Sequence, residues 1–294
     1  MRANSAPGDN WLSTGLPVAA VCGGLVSLEL SAAIAKGLFG SAGVFGVIVL
    51  RLCIGSVLLF AIRRPRFPSS PRARRLTAVA GLALILHHLT FYTAIDRVPL
   101  GVAVTLEFCG PLALSLVGRR NRLDLIPAII AAAGVICVAS NSASGHINAL
   151  GLVCAVGAGA AWAGYLVAAH RLGKATEDGG WLAWSMLLAG VLSLPLLFAA
   201  RSGIFHPHTL LLGVAVALLA EVLAYSLSNA ALTKLDTRLF GTLSSLEPAI
   251  GALVGVAVLG QALTVLQWSG IALVTIASAL AVGLAGRPPR FQRE

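Results

Sequence analysis

The chain is a succession of apolar blocks, each about as long as a bilayer is thick, separated by short polar connections. A spanning helix needs roughly 20 apolar residues at a rise of about 1.5 Å each. The blocks predict helices near residues 14–36, 41–62, 76–95, 99–117, 124–140, 149–170, 181–200, 209–231, 238–258 and 263–285. The connections leave no room for an extramembrane domain. The first block, Leu16 to Ala35, ends in Ala33-Ile34-Ala35, which resembles a leader cleavage site. Its length, Glu29 within it and the spans that follow predict a retained helix instead.

Composition agrees with the pattern. Hydrophobic residues make up 57% of the chain and charged residues 11%, with a mean hydropathy of +0.90. A soluble domain carries roughly 25% charged residues, so this chain cannot cover a water-facing surface with polar groups. Cys22, Cys53, Cys109, Cys137 and Cys154 all fall inside apolar blocks at spacings that match no zinc pattern, and they read as small buried hydrophobes.

The net charge of +10 raises nucleic acid as a partner, but the placement of the positives argues against it. They cluster in connections, as in loops that face the cytoplasm. With the N-terminus inside, 17 of the 21 Lys and Arg residues fall on the inner side, in the groups around Arg2, Arg63–Arg75, Arg119–Arg122, Arg171–Lys174, Lys234–Arg238 and Arg287–Arg293. Lys36, Arg97 and Arg201 fall on the outer side and Arg51 within a helix. This bias predicts both termini in the cytoplasm and an even number of spans. Trp11, Trp181 and Trp184 sit near predicted interfaces as belt residues, and the Arg63–Arg75 connection is a topology signal able to meet anionic lipid.

Two stretches align without a gap: Ala94-Ile95-Asp96-Arg97-Val98 with Thr105-Leu106 and Pro111, and Ala231-Leu232-Thr233-Lys234-Leu235 with Thr242-Leu243 and Pro248. In each, a basic residue precedes a helix and a proline follows fourteen positions later. Five spans per half is an odd number, so the second half enters the membrane inverted. The expectation is an all-α integral membrane protein of about ten transmembrane helices in two inverted five-helix repeats, residues 14–140 and 149–285.

Ionisable residues inside spans are costly and face the bundle interior or a wet cavity. Glu29, Glu107, Glu221 and Glu247 are such residues, at depths compatible with one central cavity. Glu107 and Glu247 stand out because each lies beside a repeat proline, Pro111 or Pro248, where a helix break frees a backbone carbonyl. Arg51 is expected either to pair with Glu29 or Glu107 or to hold a substrate carboxylate. His88, with its neighbour His87, is a candidate proton relay. Tyr92, Phe108, Tyr225, Ser228, Thr242 and Ser245 offer aromatic and hydroxyl surface to the cavity, or simply helix-packing contacts. His206 and His208 lack a third ligand, so no metal is assigned, and no cofactor or enzyme motif is read.

These residues carry a resemblance. Ala35-Lys36-Gly37-Leu38-Phe39, Leu50-Arg51-Leu52, Val98-Pro99-Leu100-Gly101, Leu106-Glu107-Phe108, Gly110-Pro111, Tyr225-Ser226-Leu227, Phe240-Gly241-Thr242-Leu243 and Leu246-Glu247-Pro248 resemble the EamA group of the drug/metabolite transporter superfamily, and within it the bacterial threonine/homoserine exporters. The resemblance implies a multi-pass protein of the bacterial inner membrane that exports small amino acids, driven by protons. Its partners would be the amino-acid substrate, protons and the lipid bilayer, with monomer and homodimer both open. Another metabolite, such as an aromatic amino acid or a drug, is the alternative cargo; an intramembrane enzyme or a channel is the remote one. The chain departs from the group's pattern at Gln261 and Ser228, where a glutamate is expected, and at Glu29, where a neutral amide is expected.

Overall fold

In lipid a backbone can satisfy its own polar groups only as a helix or a closed barrel, and these sequences take the first course. The computed structural model describes residues 15–116, 125–139, 148–173 and 180–285, and among them there are helices and no strands. The helices are α1 (Leu16–Gly37), α2 (Phe39–Arg63), α3 (Pro71–Arg97), α4 (Leu100–Leu116), α5 (Leu125–Ala139), α6 (Ala149–Gly173), α7 (Trp181–Ser193), α8 (Pro207–Ala217), α9 (Tyr225–Leu232), α10 (Thr237–Ser244), α11 (Glu247–Leu259) and α12 (Val265–Ala285). A 3₁₀ turn, Leu194–Ala199, extends α7, and a π-helical segment, Leu218–Ala224, joins α8 to α9 in one span. Helices α10 and α11 also form one span. Eight spans are long and apolar enough to cross a membrane, and α4 and α5 are shorter, which gives the expected ten. Trp11 and the basic residues Arg2, Arg119, Arg120, Arg122, Lys174, Arg287, Arg290 and Arg293 lie outside the described residues.

Two boundaries differ from expectation for identifiable reasons. Helix α3 starts at Pro71 rather than near residue 76, because Ser70 caps it: its hydroxyl accepts the Ala73 N–H at 3.1 Å. The apolar pattern alone could not see a first turn made of Arg72, Ala73, Arg74 and Arg75. The span ending at Leu259 is divided at Ser245-Leu246, where both residues have ψ near −10°. The hydroxyls of Ser244 and Ser245 bond back to the Phe240 and Gly241 carbonyls, a bond that bends helices.

The main neighbours are α3 with α6 and α7, α4 with α6 and α11, α2 with α7 and α8, α5 with α12, and α1 with α9, α11 and the π segment. Glycines set the closest of these contacts. A Cβ on Gly110 of α4 would stand 2.0 Å from the Gly159 carbonyl oxygen of α6, and one on Gly101 would stand 2.5 Å from Cα of Ala252 on α11. The buried core follows these contacts, with Ile48, Leu52, Tyr92, Ile95, Leu100 and Leu106 fully enclosed.

One end of the bundle is tied together by polar caps. Lys36 at the end of α1 donates to the Ile95 and Val98 carbonyls that end α3. Gly43, at φ 73°, interrupts α2 and leaves carbonyls that Arg201 takes up: its N–H bonds Ala42 O at 2.9 Å and its guanidinium bonds Gly40 O at 2.8 Å. At the opposite end, Trp184 donates to Arg66 O at 3.0 Å and packs edge-on against both Phe60 and Phe67, folding the α2–α3 connection over α7.

Because backbone meets backbone at Gly110, a side chain there forces two helices apart. Gly110→Ala is expected to destabilise the protein by about 1–3 kcal/mol, the usual range for overpacking. A lowered thermal midpoint in detergent would register it, while Gly164→Ala on the open face of α6, where nothing lies within 4 Å, should be silent.

Candidate functional site

Arg51 is the fixed charge around which the interior is arranged. It lies on α2, 8% exposed; its Nη1 donates to the Tyr92 hydroxyl at 2.8 Å and its Nη2 to Glu221 Oε1 at 3.3 Å. Its Nε is buried without a partner. The expected partners were Glu29 or Glu107; the acid that reaches Arg51 is Glu221. The reason is local. Glu221 sits in the π segment, whose wider turn departs from α-helical register, and it lies over Gly55 of α2, where a Cβ would stand 3.1 Å from Glu221 Cγ. Neither the π segment nor this close approach leaves a hydropathy signal.

Glu107 on α4 meets His87 instead, Nε2 to Oε1 at 2.6 Å. The imidazole is held between Phe91, stacked at 5.6 Å, and Trp162 of α6 at 5.1 Å. Sequence adjacency made His87 and His88 equivalent candidates, and their helix geometry separates them. His88 is 3% exposed and places Nδ1 2.7 Å from the Leu84 carbonyl, so that nitrogen is the donor. Its Nε2 has no partner, and its ring stacks on Tyr92.

Glu247 opens α11, the favourable end of a helix dipole for a carboxylate, with Pro248 next to it at a position that needs no N–H. Pro111 behaves differently from the expected helix break. Helix α4 runs through it, because Gly110 and the Glu107 backbone are clamped against Gly159 of α6. The Glu107 carbonyl that Pro111 leaves without its helical donor lies at this contact. The two prolines, aligned in sequence, therefore do not share a role.

Glu29, 3% exposed on α1, lies against Gly251 of α11, and its Oε2 has no hydrogen-bond partner. It is close enough to Glu107, Glu247 and Arg51 to feel their charges. Helices α4 and α11 meet above it along Gly101–Ala252 and Leu100–Gly255, and the Gln261 side chain accepts the Leu100 N–H at 2.9 Å. Gln261 thus closes the seam at one end of the bundle.

The second-tier residues divide. Tyr92 is fully buried and belongs to the Arg51 cluster. Phe108 and Ser228 are half-buried, and Ser228 faces Gly24 of α1. Tyr225 is stacked under the Arg63 guanidinium at 4.6 Å, near the end of α2 and away from Arg51. Thr242 and Ser245 bond their own helix, to Arg238 O and Gly241 O, and act as packing groups. An apolar groove between α3 and α6, lined by Val79, Leu82, Leu86, Gly157 and Ala161, opens on the outer face of the bundle and holds none of the charged groups.

Four carboxylates, one arginine and two imidazoles thus lie within the helical bundle, where ionisable groups face its interior or a wet cavity. The EamA-like transporter family model matches residues 149–283. The chain belongs to that family. It is 36% identical over 281 residues to the threonine/homoserine exporter RhtA of Salmonella typhimurium, covering 95% of each chain, and 36% identical over 266 residues to that of Escherichia coli K12, covering 90% of each. An uncharacterized transporter of Bacillus subtilis, YwfM, is 28% identical over 209 residues, covering 68% of this chain and 71% of its own. A solved crystal structure superposes with a TM-score of 0.60 at 21% identity, covering 91% of this chain and 97% of its own, and shares the fold. The chain is a multi-pass membrane protein of a transporter family, homologous to bacterial exporters.

Removing one member of the Arg51–Glu221 pair strands the other in a poorly solvated site. Arg51→Leu is expected to lower folding stability by about 3–5 kcal/mol. The double variant Arg51→Leu/Glu221→Leu should recover much of that loss, as read from thermal unfolding of the purified protein in detergent.

Proposed function

We propose that this protein is a secondary-active exporter of small amino acids of the threonine and homoserine kind, working by alternating access and driven by inward proton flux. The observation that carries the reading is the 36% identity to threonine/homoserine exporters over nearly the whole chain. The interior supports it chemically. A zwitterion needs one cationic and one anionic partner. Arg51 offers an unpartnered Nε beside an Nη2 held by Glu221 at 3.3 Å, a side-on fork suited to a carboxylate. Glu107 and Glu247 are the acids for the ammonium group and for the exchanged proton. Protonating them weakens their hold on an ammonium, so a proton from outside releases the cargo there.

The helix neighbours support a division into two inverted halves, residues 14–140 and 149–285. Exchanging each span for the one five places on turns α3–α6 into the α8–α9 span with α1, α4–α6 into α11–α1, and α3–α7 into α8–α2. The pairs α2–α7, α4–α11 and α5–α12 map onto themselves. Substrate sites of such transporters lie between the halves near mid-depth. With both termini in the cytoplasm, the closed α4–α11 seam faces outward.

Reconstituted in liposomes with an imposed pH gradient, the protein is expected to move threonine or homoserine against its gradient, with Glu107→Gln and Glu247→Gln each lowering flux at least tenfold. Unchanged flux in both would remove the assignment. Competition by an aromatic amino acid but not by homoserine would move the cargo to that class.

A further inference from the structure

The carboxyl group of Glu29 occupies the line where three helices meet. On α11, a Cβ at Gly251 would stand 3.0 Å from Glu29 Oε2 and 3.1 Å from the Val104 side chain of α4. This line is the inner margin of the α4–α11 seam, which continues through Gly101–Ala252 and Leu100–Gly255 to the Gln261 cap. Glu29 is 3% exposed, and Oε2 finds no donor. A carboxylate buried without a donor draws water or pulls its surroundings apart, whereas a carboxylic acid carries no charge and tolerates a dry contact.

Of the charged groups near Glu29, Arg51 carries the opposite sign but makes its hydrogen bonds elsewhere. Glu247 from α11 and Glu107 from α4 bear the same sign, and Arg51 from α2 is engaged by Tyr92 and Glu221. The other titratable and charged groups on elements packed against α1 are Cys53 and Arg63 on α2, His87, His88 and Tyr92 along α3 with Arg72, Arg74, Arg75, Asp96 and Arg97 at its ends, His208 on α8, Glu221 on the π segment, Tyr225 on α9, and Asp236 and Arg238 at the start of α10. Lys36, at the end of α1 itself, is held by the α3 carbonyls.

We propose that Glu29 is a proton-binding residue that governs the α1–α4–α11 seam. With a proton on the carboxyl group, the three helices close over it, as they do in this structure. When the proton passes to water, the carboxylate, beside two others, admits solvent and the seam opens. Glu29 would then hold the proton that times opening, while Glu107 and Glu247 serve the cargo ammonium and the proton exchanged for it. Its role as a coupling device rests on the transport reading; the response of the seam to pH is a property of the unloaded protein and is measured without substrate.

The test uses the full chain in liposomes, with Cys22, Cys53, Cys109, Cys137 and Cys154 replaced by alanine. Spin labels are placed at the exposed positions Asp96, before α4, and Ala262, after α11, by cysteine substitution. Between about pH 5 and pH 9, the label distance is expected to lengthen as pH rises. Glu29→Gln should hold the short distance throughout, and Glu29→Asp, which still titrates, should keep the response. A shift that survives in Glu29→Gln, or no shift in the parent, overturns the proposal. A chain that shows the shift yet exports no threonine or homoserine keeps this inference and loses the function proposed above; export without the shift does the reverse.

Discussion

Charge in a hydrocarbon layer has to be answered from within the protein, and the interior is organised by that demand. Arg51 answers Glu221 and Tyr92, while His87 answers Glu107. Each partnership crosses between helices: α2 to the π segment far along the chain, and the consecutive pairs α2 to α3 and α3 to α4. For these side chains to meet, helices must come closer than ordinary side chains allow. Glycines at positions 55, 110, 159 and 251 provide the approach, each lying directly against another helix or a carboxylate. The polar interior and the small-residue contacts are thus two aspects of one arrangement.

Two of the departures from regular helix, and one proline within a helix, lie beside the glutamates. The π segment carries Glu221, the Ser245-Leu246 turn presents Glu247 at a fresh helix start, and Pro111 places the Glu107 carbonyl against Gly159. Irregular backbone in a membrane is tolerated where it borders protein or a wet cavity. The π segment and the Ser245-Leu246 turn each carry or adjoin a glutamate and give it an orientation that an unbroken α-helix would not supply, whereas Glu107 stays on a continuous α4 whose freed carbonyl meets Gly159.

The ten spans and the four intramembrane glutamates were legible in the chain, because apolar length and buried charge are one-dimensional signals. Partnerships were not. Arg51 was set against Glu29 or Glu107, since depth counting ranks residues by height and says nothing of azimuth, and the π segment shifts the azimuth of Glu221. His87 and His88 are adjacent in sequence but about 100° apart around α3, so only one reaches Glu107. Thr242 and Ser245 looked like cavity hydroxyls because residue type does not reveal a bond to one's own helix. The capped start of α3 was readable from Ser70-Pro71, but hydropathy overrode it.

The caps at one end of the bundle bear on the charge that the folded chain presents at its two ends. Lys36, Arg97 and Arg201 are the cations that the charge count leaves on the minority side. Each is engaged locally: Lys36 and Arg201 on carbonyls freed at the end of α3 and at the Gly43 kink, and Arg97 on Thr93 O and Asp96. Cations that serve as backbone donors are immobilised as their helices pack, whereas the arginines at 64, 66, 72 and 75 remain exposed. The minority cations are therefore tied into the folded end as backbone donors, and the charge left free on the exposed connections is more one-sided than the sequence total suggests.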